Sequence, residues 1–215
     1  SDGDRTRAAE MSAPQVIAIV QARMGSTRLP GKVLADIAGV PMLVRTVERA
    51  RLAKAVHHTM VATTSDPADG VIEALCRARG YEVYRGSVND VLDRYYRAAL
   101  QASADVIVRL TADCPLLDPE LVDPTLRCFL EARPPADLVV NRLPGARTYP
   151  IGLDVEVVSF AALERAWTEA VEPNQREHVL PFLYDPPGRF RVLRLDAERD
   201  YGHLRWTVDT PEDLE

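Results

Sequence analysis

The chain has 215 residues, with 26 lysines and arginines against 32 aspartates and glutamates, and its formal net charge is -6. Hydrophobic residues make up 47% of it and charged residues 27%, so we expect one large α/β domain with a substantial core. The acidic balance argues against broad nucleic-acid binding, which usually needs a basic face. No apolar run approaches the roughly 18 residues of a membrane span.

The N-terminus and the cysteines indicate how the chain is organised. Residues 1–14 are polar and contain no apolar signal region, which predicts a disordered extension before a single domain over residues 15–215. Cys76, Cys114 and Cys128 are widely spaced and odd in number, so neither a disulfide framework nor a zinc site is expected. This cysteine usage suits a reducing cytoplasm.

Strand and helix patterns alternate through the first half of the chain. Proline at the start of a helix and Gly80 after the end of another support the predicted boundaries. Repeated strand–helix units imply a mainly parallel sheet with helices on both faces. The predicted strands are 15–22, 58–63, 81–84 and 105–110, and the predicted helices are 41–52, 68–79, 89–102 and one that Asp118 caps.

The second half of the chain is less regular. Strands are predicted over 137–140, 149–158, 190–195 and 204–208, and helices over 160–171 and 176–184. The segment Thr210-Pro211-Glu212-Asp213 has the capping signature of a further helix. The sequence therefore predicts a last helix that barely begins before the chain ends.

The strongest functional signal is the segment Arg23–Lys32 (RMGSTRLPGK), which follows the apolar run Val16–Val20. Its backbone N–H groups, hydroxyls and three cations could wrap a polyphosphate, whereas the alternative is a solvated basic turn. It is not a Walker A motif, because five residues rather than four separate Gly25 from Gly31. No G-x-G-x-x-G follows a strand either, so the segment predicts a phosphate loop of a different class.

Two aspartates follow predicted strands and add a second signal. Asp113 comes after strand 105–110, and Asp209 comes directly after strand 204–208. In a parallel sheet these residues would share an edge with the phosphate loop, where carboxylates and phosphate oxygens could hold Mg²⁺. The alternatives are a turn or helix cap for Asp113 and a helix start for Asp209.

Three other polar segments could contact a substrate. The Gly-Ser turn in Arg85–Arg94 precedes a helix start that could bind an anion or a nucleoside hydroxyl, or whose acids could simply complement the helix dipole. Asp154 and Glu156 share a face of a predicted strand and could bind sugar hydroxyls, although edge-strand solvation is the alternative. Arg176 and His178 belong to a polar cluster that a capped helix start would also explain.

Five blocks of this sequence together resemble a known family. The chain is similar to cytidylyltransferases of the spore-coat polysaccharide (SpsF) type, relatives of the CMP-sialic acid and CMP-Kdo synthetases. The resemblance runs from about Val16 to Glu215 and implies a Rossmann-like three-layer α/β/α sandwich of the nucleotide-diphospho-sugar transferase type, and a homodimer. The blocks are IVQARMGSTRLPGKVL (19–34), VATTSDPAD (61–69), RGSVNDVLDRY (85–95), VRLTADCPLLDP (108–119) and RWTVDTPEDLE (205–215).

The resemblance also implies a reaction and roles for residues. An acceptor hydroxyl of a sugar or sugar acid would attack the α-phosphorus of CTP and release pyrophosphate, with Asp113 and Asp209 binding Mg²⁺. Arg23, Lys32 and Asp113 would be the catalytic residues. Asp154, Glu156, Arg176 and His178 are candidate acceptor contacts. The residues implied in nucleotide binding are Ala22, Arg23, Gly25, Ser26, Arg28, Lys32, Ala62, Thr63, Arg85 and Asp90.

Alternative functions stay open at this point. A nucleotidyltransferase that uses another base is one, and a nucleotide-binding module without catalysis is another. A glycosyltransferase of related fold is disfavoured, because such enzymes usually need a D-x-D motif after a strand and Thr111-Ala-Asp113 offers a single acid.

Overall fold

A computed structural model describes residues 13–215, so nearly all of the extension predicted over 1–14 lies outside the described residues. Strands β1–β11 are Val16–Gln21, Asp36–Ile37, Val40–Pro41, His58–Thr64, Glu82–Gly86, Val106–Thr111, Leu138–Val140, Arg142–Leu143, Ala146–Arg147, Glu156–Ser159 and Val192–Arg194. Helices α1–α8 are Met42–Arg51, Gly70–Arg79, Val91–Gln101, Pro119–Glu131, Phe160–Glu169, Pro173–His178, Pro181–Tyr184 and Pro211–Leu214. In this described part, no helix combines the length and apolar character that crossing a membrane requires.

Seven strands form one sheet in the order β11-β7-β10-β6-β1-β4-β5. β1 pairs in parallel with β4 and β6, β4 with β5, and β11 with β7, whereas β10 runs antiparallel to β6 and β7. The prediction of a mainly parallel sheet is therefore confirmed. In the β1–β6 register Gln21 is paired with Thr111, so the segments that follow these two strands leave the sheet at the same edge.

Helices cover both faces of this sheet. In β1, Ala18 and Val20 join a cluster with α1, α2 and α4, while Ile17 and Ile19 join a second cluster with α3, α5 and α7. This alternation explains the continuous apolar run of β1, because a strand buried on both faces has no solvent side. The predicted three-layer α/β/α sandwich is confirmed.

Three predicted elements differ from the structure. The single strand predicted over 149–158 is regular only at Glu156–Ser159, and the strand predicted over 204–208 is reduced to one bridge between Ile151 and Arg205. The helix predicted over 176–184 is divided between α6 and α7, because Val179 takes a φ of 71° and a right-handed helix cannot continue through that conformation. These segments line the edge of the sheet where the candidate site lies.

Gly152 lets the 149–155 segment approach the C-terminal segment closely. Its φ is +103°, and a Cβ atom there would lie 2.6 Å from the carbonyl carbon of Trp206 and 2.7 Å from the backbone nitrogen of Thr207. Both contacts are with backbone, which cannot move aside as a side chain can. Glycine at this position therefore sets the course of the chain two residues before Asp209.

We predict that Gly152→Ala lowers the free energy of unfolding by about 3 kcal/mol, because it adds backbone crowding to an unfavourable φ. Gly145→Ala is the matched control. Gly145 also has a positive φ, of 74°, but a Cβ atom added there would have no neighbour within 4 Å, so we expect a loss of about 1 kcal/mol. Urea unfolding followed by circular dichroism measures both. Equal losses would contradict the close approach at Gly152.

Candidate active site

The loop after β1 is held in shape through the backbone of Met24. Its N–H donates to the Asp69 carboxylate at 2.7 Å, and its carbonyl accepts from the N–H of Gly31 at 2.9 Å. Gly31 has a φ of 71°, which glycine adopts without strain. Asp69 is buried and also accepts from the Thr64 hydroxyl, so it anchors the loop. Sequence reasoning missed Asp69, and the block 61–69 of the family resemblance was the signal that could have found it.

Lys32 brings the predicted metal-binding aspartates together. Its ammonium group lies 2.9 Å from an oxygen of Asp113 and 2.8 Å from an oxygen of Asp209, and it also donates to the carbonyl of Val208 at 2.8 Å. Burial alone would lower the pKa of Lys32, but the hydrogen bonds and negative charges of the two aspartates outweigh burial and raise it. The ammonium therefore stays charged between the two carboxylates.

Asp209 is bound by two further cations. Arg28 lies 3.1 Å from it and Arg205 lies 2.7 Å from it. Burial would raise the pKa of Asp209, but Lys32, Arg205 and Arg28 together lower it. The Asp209 carboxylate is consequently ionised at neutral pH, and its pKa lies below the ordinary value for an aspartate. Sequence reasoning missed the contribution of Arg205, although it lies in the last block of the family resemblance.

The C-terminal segment is tied to the end of β6 through the backbone of Asp113. The Asp113 carbonyl accepts from the N–H of Val208 at 2.9 Å and from the hydroxyl of Thr207 at 3.0 Å. The neighbouring Cys114 is buried, and burial together with the charge of Asp113 raises the pKa of its thiol to about 12. Cys114 therefore packs as a protonated thiol and is unsuited to nucleophilic catalysis.

A cavity of about 230 Å³ opens beside the loop, and we call it the loop cavity. Four cationic side chains line it against the single carboxylate of Asp113, which suits a polyanionic ligand. Among the predicted nucleotide-binding residues, it brings together Ala22, Arg23, Ser26, Arg28 and Lys32. Arg94, whose role sequence reasoning missed, is the remaining cation. Gly25 lies in the loop itself without lining the cavity.

Three other predicted nucleotide-binding residues lie outside the loop cavity. Ala62 and Thr63 are fully buried within β4, where the carbonyl of Ala62 accepts from the N–H of Ala22 at 3.1 Å. The Arg85 guanidinium donates to Glu73 at 2.9 Å and to two backbone carbonyls. Arg85 thus links β5 to α2 and does not reach the phosphate loop, whereas the backbone of Ala62 is bonded to Ala22 at the start of that loop.

Two predicted site residues, Asp90 and Arg176, bind each other. Asp90 caps α3 by accepting from the N–H of Asp93 at 2.8 Å, and its other carboxylate oxygen accepts from Arg176 at 2.5 and 2.9 Å. Arg176 also donates to the carbonyl of Trp167. The pair joins α3 to α6, and next to it His178 lines a cavity of about 410 Å³ that we call the side cavity.

Asp154 and Glu156 line a third cavity of about 220 Å³, the carboxylate cavity, which Asp113 and Asp209 also line. The edge-strand alternative is wrong for Glu156, because β10 lies between β6 and β7, whereas Asp154 precedes β10 and lies in no strand. Glu156 is buried and forms an ion pair with Arg109. Asp154 accepts from Arg147 at 2.5 and 3.1 Å. Both acids are therefore fixed in place beside Asp113.

Comparison with known proteins gives one consistent result. The family model described as cytidylyltransferase matches residues 17–215. The chain is 34% identical over 207 residues to the spore coat polysaccharide biosynthesis protein SpsF of Bacillus subtilis, covering 93% of this chain and 83% of that protein. It is 32% identical over 240 residues to a 3-deoxy-manno-octulosonate cytidylyltransferase of Anaeromyxobacter, covering 94% of each.

A solved structure is also similar over most of its length. It is a cytidylyltransferase from Leptospira borgpetersenii, with a TM-score of 0.89 and 35% sequence identity, and the match covers 94% of this chain and 84% of that one. The two chains therefore share one fold over most of their length.

We predict that Glu156→Gln lowers the free energy of unfolding by about 3 kcal/mol, because it leaves the buried guanidinium of Arg109 without its counter-charge. Glu169→Gln is the control, since Glu169 pairs with Arg165 on the exposed surface of α5 and should cost at most about 0.5 kcal/mol. Denaturant unfolding at pH 7 measures both. Equal losses would show that the buried pair contributes no more than a surface pair.

Proposed function

Because the chain belongs to the cytidylyltransferase family and is SpsF-like, we propose that it transfers CMP from CTP to a hydroxyl group of a sugar or sugar acid and releases pyrophosphate. Its nucleotidyltransferase activity follows from the family, and polysaccharide biosynthesis is the setting of its SpsF relative. The observation that carries the proposal is the Lys32 ammonium between Asp113 and Asp209, beside a cavity rich in cations.

The loop cavity supplies the charges that a triphosphate needs. Arg23, Arg28 and Lys32 would neutralise phosphate oxygens, and the backbone of the loop would position them. The acceptor oxygen forms a bond to the α-phosphorus in line with the leaving group. The bond from that phosphorus to the bridging oxygen of the β-phosphate breaks, pyrophosphate keeps the electron pair, and the hydroxyl proton passes to solvent water. Positioning and charge neutralisation supply most of the catalysis.

The two aspartates fit a magnesium ion. Their carboxylate oxygens are the ligand type that Mg²⁺ prefers, with substrate phosphates completing the set. The ammonium of Lys32, within 2.9 Å of both carboxylates, indicates that these oxygens converge on one cation. A bound Mg²⁺ would withdraw negative charge from the phosphate oxygens. The Lys32 ammonium, at the boundary of the loop cavity, would bind phosphate oxygens of the nucleotide.

We place the acceptor in the carboxylate cavity, which shares Thr111 and Asp113 with the loop cavity. Asp154 and Glu156 keep unused oxygen lone pairs after binding their arginines, and these lone pairs can accept from sugar hydroxyls. His178 would reach a substrate from the side cavity. Arg176, which Asp90 holds, would support that wall without touching the substrate. The homodimer and the cytoplasmic location stay predictions. The three cysteines are free thiols, which is compatible with a reducing compartment.

The proposed function is tested by pyrophosphate release with CTP, UTP, ATP or GTP in Mg²⁺, against 2-keto-3-deoxy sugar acids and neutral sugars. We expect release with CTP and one class of acceptor.

Asp113→Asn should abolish turnover while CTP affinity falls less, because it removes half of the metal site but none of the phosphate-binding cations. The proposal would be overturned if no pyrophosphate were released and CTP had no effect on the melting temperature. Near-normal turnover by Asp113→Asn would overturn the metal assignment.

We predict that Lys32→Ala weakens CTP binding by about 10- to 100-fold and CMP binding much less, because charge-assisted hydrogen bonds to the outer phosphates are lost. Titration calorimetry with each nucleotide in Mg²⁺ measures the difference. Arg45→Ala is a suitable control, since Arg45 binds backbone carbonyls in the β2–β3 turn. Equal losses for CTP and CMP in Lys32→Ala would contradict a contact with the outer phosphates.

A further inference from the structure

Arg94 is a buried cation that has no carboxylate partner among residues 13–215. It lies in the first turn of α3 and is 1% exposed, yet it forms no ion pair with any described acid. Arg109 is a useful comparison, because it is also buried but is neutralised by Glu156. A buried charge is costly unless it is paired, so the missing counter-charge of Arg94 calls for an explanation.

The hydrogen bonds of Arg94 are incomplete as well. A guanidinium has five N–H donors. One nitrogen, Nη1, donates to the carbonyl of Ser87 at 3.0 Å, whereas the buried Nε has no partner. On a guanidinium, Nε and Nη2 form the edge that binds carboxylate or phosphate oxygens in pairs. The side chain therefore keeps an anion-binding edge that the described residues do not use.

The chain makes room for this arginine. A Cβ atom at Gly86 would lie 3.2 Å from Cγ of Arg94 and 2.6 Å from Cε1 of Tyr84. Glycine at the end of β5 thus lets the Arg94 stem pass. Burial lowers the pKa of Arg94, and the nearby charges of Arg23 and Arg109 lower it further, although the carboxylate of Asp69, which forms no ion pair with it, opposes them. Two guanidinium groups that repel each other therefore line the same cavity.

Arg94 and Arg23 both line the loop cavity and the side cavity. The two arginines therefore mark the junction of these cavities. If the β- and γ-phosphates lie in the loop cavity, the α-phosphate is the next anionic group along the nucleotide. It would then lie at the boundary of that cavity, beside these two arginines. An anion at this junction would supply the counter-charge that both arginines lack.

We propose that Arg94 binds the α-phosphate of the nucleotide together with Arg23, which rests on the proposed cytidylyltransferase function. A fixed guanidinium would hold the non-bridging oxygens while the acceptor oxygen attacks. Its charge acts in a site with little water, where it stabilises developing negative charge more strongly than it would in solvent. Burying this unpaired charge costs free energy of folding, and in return the guanidinium is already positioned when the substrate binds.

The test compares Arg94→Met and Arg94→Lys with the wild type and with Arg97→Met. Arg97 is the matched control, because it lies on the same helix but is half exposed and paired with Asp93. Calorimetry with cytidine, CMP and pyrophosphate in Mg²⁺ gives the affinities, and thermal unfolding without ligand gives the melting temperature.

We expect Arg94→Met to weaken CMP binding by about 10- to 100-fold, the effect of one hydrogen-bonded charge, and to leave cytidine and pyrophosphate binding unchanged. Its ligand-free melting temperature should not fall, because the charge it removes has no partner. Arg94→Lys should lose less CMP affinity, since it keeps the charge without the paired donors. Arg97→Met should bind CMP as the wild type does.

Other outcomes would overturn the assignment. Equal losses for CMP and cytidine would place Arg94 on the nucleoside, and a lower melting temperature with unchanged CMP affinity would make it a structural residue. Wild-type protein that binds neither CMP nor CTP would overturn both this assignment and the proposed function. Normal wild-type binding with unchanged CMP affinity in Arg94→Met would overturn this assignment alone.

Discussion

The ion pairs of the Lys32 ammonium with Asp113 and Asp209 are the interaction on which the candidate active site depends. They join the loop after β1 to the end of β6, 81 residues away, and to the C-terminal segment, 177 residues away. Without the ammonium, two carboxylates would face each other and repel. The Lys32 ammonium therefore holds these three segments of the site together.

The distribution of charge around the site differs from that of the whole chain. The chain carries a net charge of -6, but four cations and one carboxylate line the loop cavity. Lys32 and Arg28 are paired with aspartates, whereas Arg23 and Arg94 have no acidic partner in the part of the chain that the structure describes. These two are the cations that remain available to an anion without breaking an existing pair.

Unlike Arg23 and Arg94, the acids next to the loop cavity are each paired with a residue of opposite charge. Glu156 is held by Arg109, Asp154 by Arg147 and Asp90 by Arg176. Each pair gives a carboxylate a fixed position and reduces its repulsion of an incoming phosphate. Because two of these acids line the carboxylate cavity, a sugar hydroxyl there would meet oriented acceptors. The carboxylate cavity thus contains oriented acceptors, whereas the loop cavity is lined mainly by cations.

The sequence by itself determined the local features of this protein. Apolar runs predicted β1, β4 and β6, capping residues predicted the start of α4 and α5, and family blocks pointed to Lys32, Asp113 and Asp209. Tertiary structure alone decided which polar groups are free. Asp69 anchors a loop 45 residues away, and Arg176 binds Asp90 across 86 residues, while Arg94 has no acidic partner among the described residues. Local patterns depend on neighbours along the chain, but the pairing of a buried charge depends on residues that only folding brings together.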